Sequence, residues 1–202
     1  AREQLTWGEE PVGGVVASPV AGGGFVFSRD RGGDENAQIH LLRAGERVPR
    51  RITDGKSRHG GALWSRDGSR LVFTGNARDG VATDVCLVEV GKAGADAAAA
   101  ALTAPRLVVA APQGQAWTPV DWSQDGSNLL LLQTTSVTDA RLYLADVATG
   151  AYRPLELAAT PGKAAPKTAI GGARFSADGR GVWLTADLGG EFQQLRYLDL
   201  QD

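Results

Sequence analysis

Residues 64–74 read WSRDGSRLVFT, and the phrase returns as WSQDGSNLLLL at 122–132 and as FSADGRGVWLT at 175–185. The spacings are 58 and 53 residues. Self-similarity at a period of about 40–50 residues marks a repeat architecture, so the phrase decides the fold before any single residue does. Within it, Asp-Gly sits where a tight hairpin must turn, because Asp tolerates left-handed backbone and Gly carries no Cβ to clash. The apolar run that follows is short and rich in aliphatic and aromatic residues, which reads as a strand rather than a helix.

Working outward, each run leads through a polar loop to a second one: DVCLVEV at 84–90, RLYLADV at 141–147 and QLRYLDL at 194–200. A weaker first copy starts at Ala17-Ser18-Pro19 and continues through FVFS at 25–28 to QIHLL at 38–42. RRIT at 50–53, RLVVAA at 106–111 and YRPLEL at 152–157 supply an outermost strand to three copies. The expected fold is all-β: four blade-like, four-stranded antiparallel repeats over 9–54, 55–111, 112–158 and 159–202, forming part of a seven- or eight-bladed β-propeller. Two insertions, 91–105 and 159–168, are expected as loops, the first with room for a short helix. QLTWG at 4–8 parallels RITDG at 51–55, so residues 4–7 are expected as an outer strand. That strand either completes the last repeat or pairs with sequence outside this chain, and open sheet edges lead to an expectation of self-association, including two copies pooling their blades.

Composition narrows the function. With 21 Lys+Arg against 23 Asp+Glu, the chain has no basic surplus to drive nucleic-acid binding. No apolar stretch reaches the ~20 residues of a membrane span, and AREQLTWGEE at 1–10 lacks a signal-peptide core, so a soluble domain is expected, cytoplasmic or periplasmic. Cys86 is the single cysteine and lies in an apolar run, which favours a packed thiol over a reactive one. The chain contains no Met, and a longer natural protein is expected.

With the copies aligned, the chain resembles the N-terminal propeller of the prolyl oligopeptidase family, in the branch of acylaminoacyl peptidases and dipeptidyl aminopeptidases. The resemblance rests on FSRDRGGDENAQIHLL at 27–42, TDGKSRHGGALWSRDGSRLVFTGNARDGVATD at 53–84, PVDWSQDGSNLLLL at 119–132 and GGARFSADGRGVWLTAD at 171–187. It implies a propeller that gates access of peptide substrate to an α/β-hydrolase domain, with further blades and that domain as partners. TolB-like propellers share the Trp-Ser-x-Asp-Gly phrase, so a protein-interaction scaffold with no attached enzyme is the alternative.

Chemistry is sparse. A hydrolase of that type needs Gly-x-Ser-x-Gly on a strand-to-helix turn and a later His. Gly55-Lys56-Ser57-Arg58-His59 fails the pattern at its last position, and no His follows it. His40 and His59 are the only histidines, no CxxC pair or phosphate loop occurs, and neither cofactor nor metal is expected. What remains is a face. Loops joining second to third strands (29–37, 75–84, 135–140, 187–193) should emerge with the connections between repeats. Arg31, Asp34, Glu35, Arg58, His59 and Trp117 are the candidates there for gating or for contact with a second domain.

Overall fold

A computed structural model of the chain describes residues 2–92, 102–157 and 166–201. Its strands form four antiparallel sheets in chain order. Sheet 1 holds β1 (Gly13–Ala17), β2 (Phe25–Arg29), β3 (Gln38–Leu42) and β4 (Arg50–Arg51). Sheet 2 holds β5 (His59–Trp64), β6 (Arg70–Gly75), β7 (Asp84–Glu89) and β8 (Arg106–Val109). Sheet 3 holds β9 (Thr118–Trp122), β10 (Asn128–Ser136), β11 (Asp139–Asp146) and β12 (Tyr152–Pro154). Sheet 4 has three strands, β13 (Ile170–Phe175), β14 (Gly181–Ala186) and β15 (Gln194–Asp199). Every sheet is a meander, each strand bonded to the next in sequence, and no helix occurs among the described residues.

The repeated phrase builds the turn between first and second strands. The Ser65 hydroxyl donates to Asp67 (2.7 Å), its oxygen accepts the Arg70 N–H (2.9 Å), and the Gly68 N–H closes on the Ser65 carbonyl (2.9 Å) with φ +67°. Ser123, Asp125 and Asn128 repeat the set at 2.6 and 2.9 Å, as do Ser176, Asp178 and Gly181 at 2.6 and 3.0 Å. Hydrogen bonds from the Ser123 hydroxyl and from Ser127 hold the Asp125 carboxyl down at about 2. Partial burial alone would raise Asp67, but Ser65 and Ser69 outweigh it and bring it also to about 2.

Packing follows from strand alternation. In β6, Leu71 and Phe73 face sheet 1 while Val72 faces sheet 3; in β10, Leu129 and Leu131 face sheet 2 while Leu130 faces sheet 4. Three apolar clusters result, one at each junction between successive sheets, and an aromatic from the later sheet anchors each: Trp64, Trp122 and Phe175. The Trp64 indole also donates to the Val16 carbonyl (3.1 Å) and the Trp122 indole to the Leu63 carbonyl (3.4 Å), so each ring satisfies its polar edge on the preceding sheet. The Asp121 carboxylate ties three sheets together. It accepts from Arg66 of the turn in sheet 2 (3.0 Å) and from the Phe175 N–H in sheet 4 (2.9 Å).

Each first strand carries an irregularity in its pairing, at Gly13/Val15, Gly60/Leu63, Leu130/Leu131 opposite β9, and Ile170/Gly172. Gly14 (φ +42°) and Gly61 (φ +58°) take backbone conformations that side chains resist, which is why a Gly pair opens β1 and follows His59 in β5.

The outermost strands are shorter than the sequence implies. β4 stops at Arg51 because Thr53 and Gly55 bond the Gln38 side chain instead of continuing the ladder. Residues 4–7, expected as an outer strand, lie in no strand, since the open edge of β15 belongs to the opposite end of the row from sheet 1. The expected helix in 91–105 falls largely outside the described residues, as does most of the 159–168 insertion. Thr103 rejoins sheet 2, its hydroxyl oxygen accepting the Glu89 N–H at 2.9 Å. No helix among the described residues is long and apolar enough to cross a membrane.

Candidate interaction face

Each sheet brings its loop between second and third strands to the end where the connection to a neighbouring sheet runs. In sheet 1, Gln38 is the hub: its amide donates to the carbonyls of Asn36 and Ser57 (both 2.7 Å), and its oxygen accepts from the Thr53 hydroxyl (2.7 Å) and the Gly55 N–H (2.8 Å). Asp84 holds the same place at the start of β7. Its carboxylate accepts a forked pair from Arg78 (2.8 and 3.0 Å) and the Ala111 N–H (2.7 Å), and Arg78 also donates to the Ala111 carbonyl (2.7 Å). Asp84 is 2% exposed, and a buried carboxylate is tolerable only with such pairing. The Ala140 N–H reaches the Thr168 carbonyl (2.8 Å), and the Ala169 N–H reaches the Asp187 carboxylate (2.8 Å). Loops and connections thus share one rim.

Four of the six candidate residues are exposed on it. Arg31, Asp34 and Glu35 occupy the β2–β3 loop, where the Asp34 carboxylate accepts the N–H of Arg31 (3.3 Å) and of Asn36 (2.9 Å) and so shapes its own turn. Glu35 has φ +59°, an unusual conformation for a residue with a side chain. Arg58 is exposed, its backbone N–H held by Asn76 (2.9 Å).

The other two are buried and present no contact surface. His59 is 7% exposed, lies edge-on to Phe73 at 5.6 Å, and meets Asp54 through Nε2 at 3.0 Å. Partial burial would raise the Asp54 carboxyl, but the N–H groups of Lys56 and Ser57 and the His59 ring hold it well below the usual carboxylate range. Trp117 is 2% exposed. Its ring packs edge-to-face on Tyr143 (4.9 Å) and Tyr152 (5.2 Å) of sheet 3, and its indole donates to the Ala110 carbonyl just past β8 (3.3 Å), joining sheet 3 to sheet 2. Aromatic and imidazole groups in polar connections look like surface in sequence; here each fills a gap under its connection.

Ser57 donates to one oxygen of Asp54 (2.8 Å) and His59 meets the other, so hydroxyl and imidazole both address the carboxylate and form no nucleophile–base pair. Burial, then the negative charges of Asp84 and Asp54, push the Cys86 thiol up to about 11, an unreactive state. No cluster of three or more His, Cys, Asp or Glu that could hold a metal occurs among the described residues. Sequence reasoning passed over Gln38, Arg78 and Asp84, whose only local signal is a polar residue opening an apolar strand. It also missed an apolar cavity of about 200 Å³ between β1 and β5, bordered by Gly14, Val16, Val26, Gly60 and Gly61.

These features define a row of β-propeller blades. No family model matches the chain, and no curated protein does. Among solved structures it is similar to prolyl oligopeptidase B from Galerina marginata, at TM-score 0.68 and 15% identity over 96% of this chain and 28% of that one. It is also similar to TolB from Acinetobacter baumannii, at TM-score 0.55 and 15% identity over 93% and 38%. An oligogalacturonate lyase from Vibrio parahaemolyticus gives TM-score 0.61 and 15% identity over 94% and 49%. The chain thus spans less than half the length of these three structures, and at such identities the shared property is the fold.

Proposed function

We propose that this chain is a non-catalytic propeller segment that gates peptide access to the α/β-hydrolase domain of a serine peptidase of the prolyl oligopeptidase type. The observation that carries the reading is the rim: polar loops and connections gather at one end of successive sheets, with Arg31, Asp34, Glu35 and Arg58 exposed there and no nucleophile–base pair nearby. Such a surface, charged in both signs, suits contact with a second domain and steric filtering of short peptides. The resemblance at 27–42, 53–84, 119–132 and 171–187 supports the same reading, as does the shared fold with a prolyl oligopeptidase. Hydrolase domain, further blades and peptide are the partners, in cytoplasm or periplasm. The second reading is a TolB-like interaction scaffold, favoured by the match of the same sheets to a TolB, since fold does not fix function.

The test is to capture the native protein from its source with an antibody raised against these blades, and to treat it with a fluorophosphonate probe for active serines. The gate reading expects a labelled polypeptide larger than 21.1 kDa, while the 202-residue chain alone stays unlabelled. A captured protein that never takes label overturns it in favour of the scaffold.

A further inference from the structure

Unused surface lies at the two ends of the row. On the side of sheet 4 facing away from sheet 3, Trp183 (47% exposed), Leu195 (71%) and Tyr197 stand in the open, the rings of Trp183 and Tyr197 being 4.7 Å apart. Beyond them, β15 pairs with β14 alone. On the side of sheet 1 facing away from sheet 2, Val15 and Ala17 are exposed, while Phe27 and Leu42 on that side are buried. Leu5 and Trp7 are exposed in a segment that belongs to no strand.

The interior junctions state a packing rule. Across them Val26 meets the cluster of Trp64, Val72 that of Trp122, and Leu130 that of Phe175, so an aliphatic residue of the earlier sheet serves a large ring of the later one. By the strand registers, Trp183 stands on sheet 4 where Leu130 stands on sheet 3, and Ala17 stands on sheet 1 where Trp64 stands on sheet 2. The two open ends are therefore complementary in size, with the large residue on the earlier sheet and the small one on the later.

A second match is independent of the first. Residues 4–17 (QLTWGEEPVGGVVA) align without a gap to 51–64 (RITDGKSRHGGALW). In the latter, Ile52 is buried with its N–H on the Ile39 carbonyl (2.9 Å), and Thr53 and Gly55 bond the Gln38 oxygen. Leu5, Thr6 and Gly8 hold those places in the N-terminal segment. The place of Gln38, at the start of β3 opposite Arg29, is held in sheet 4 by Gln194, at the start of β15 opposite Ala186. Gln194 and Thr6 are thus two halves of an interaction that is complete in sheet 1.

We infer that two copies of this chain join head to tail: residues 4–8 of one copy add as the fourth strand on β15 of the other, and its sheet 1 seats on the Trp183 face. Strand addition satisfies the free edge of β15, and seating sheet 1 buries Trp183, Leu195 and Tyr197. Two such contacts close the assembly, which keeps a head-to-tail interface from running on into a filament. The inference gives the self-association expected from open edges a defined interface. It rests on the proposed function in one respect, putting the blades of a second copy where that reading places further blades; mass reads this contact, whereas the serine probe reads the hydrolase.

The experiment is light scattering and native mass spectrometry of the 202-residue chain across a concentration series. Variants at exposed positions are compared after circular dichroism confirms folding. The expected mass is twice 21.1 kDa. Ala17→Trp places ring against ring and should weaken the dimer about 30-fold or more. Adding Trp183→Val to it restores the interior pattern of aliphatic against Trp and should recover the dimer. A chain that stays monomeric throughout, a ladder of larger assemblies, a dimer indifferent to Ala17→Trp, or a double variant without rescue would each overturn the proposal.

Discussion

At the scale of single residues, the turn phrase is the most economical part of the chain. One serine both donates to an aspartate and accepts a backbone N–H, and that aspartate draws in the next polar groups, so the hairpin is fixed by six consecutive residues, 123–128. This is why the turns were legible in sequence: every partner is local. Because the folded carboxyls of Asp67 and Asp125 lie near 2, below an unfolded value of about 3.9, their stabilisation is complete above about pH 4 and is lost as pH falls toward 2. Urea midpoints measured across that window should fall more shallowly in Asp125→Asn than in the parent chain. At neutral pH the same variant should cost about 1 kcal/mol. Trp117 and His59 show the opposite case. Their partners, Tyr143 and Phe73, come from later strands, so a polar neighbourhood in sequence concealed buried side chains.

At the scale of elements, first strands and their irregularities carry the design. Gly61→Val must hold a branched side chain at φ +58° beside Thr74 and should lose roughly 2 kcal/mol in chemical denaturation, against about 1 kcal/mol for Gly80→Ala in the exposed loop, where strain at φ +78° operates with no neighbour within 4 Å. If Gly61→Val proves neutral, the backbone there is not left-handed. Asp121 acts between elements. Asp121→Ala should cost about 3 kcal/mol, because it strands the Phe175 N–H and frees Arg66. Arg66→Ala should cost less, since Arg66 is partly exposed. Alternation along each strand made the core residues readable, whereas Gln38 and Asp84 were not: each binds a connection many residues further on, and nothing local announces it.

At the scale of the whole molecule, four sheets in chain order form a row with a polar rim and two unlike ends. The count of repeats, their order and the missing outermost strand of the last repeat followed from the sequence, but the placing of residues 4–7 outside any strand came only with the structure. Rim charges should matter to partners and not to folding. Arg31→Ala and Arg58→Ala should leave the unfolding midpoint within about 0.5 kcal/mol of the parent, and a larger loss would assign them a structural role instead. The sheets stack face to face, with the indoles of Trp64 and Trp122 bonded to the preceding sheet. The five Trp residues test it through hydrogen exchange of their indole N–H groups by nuclear magnetic resonance. Slow exchange is expected for Trp64, Trp117 and Trp122, whose indoles bond Val16, Ala110 and Leu63, and rapid exchange for Trp7, with Trp183 reporting on association. Rapid exchange of all five while the strand amides stay protected would mean that the sheets form but do not stack in this order, and would contradict it.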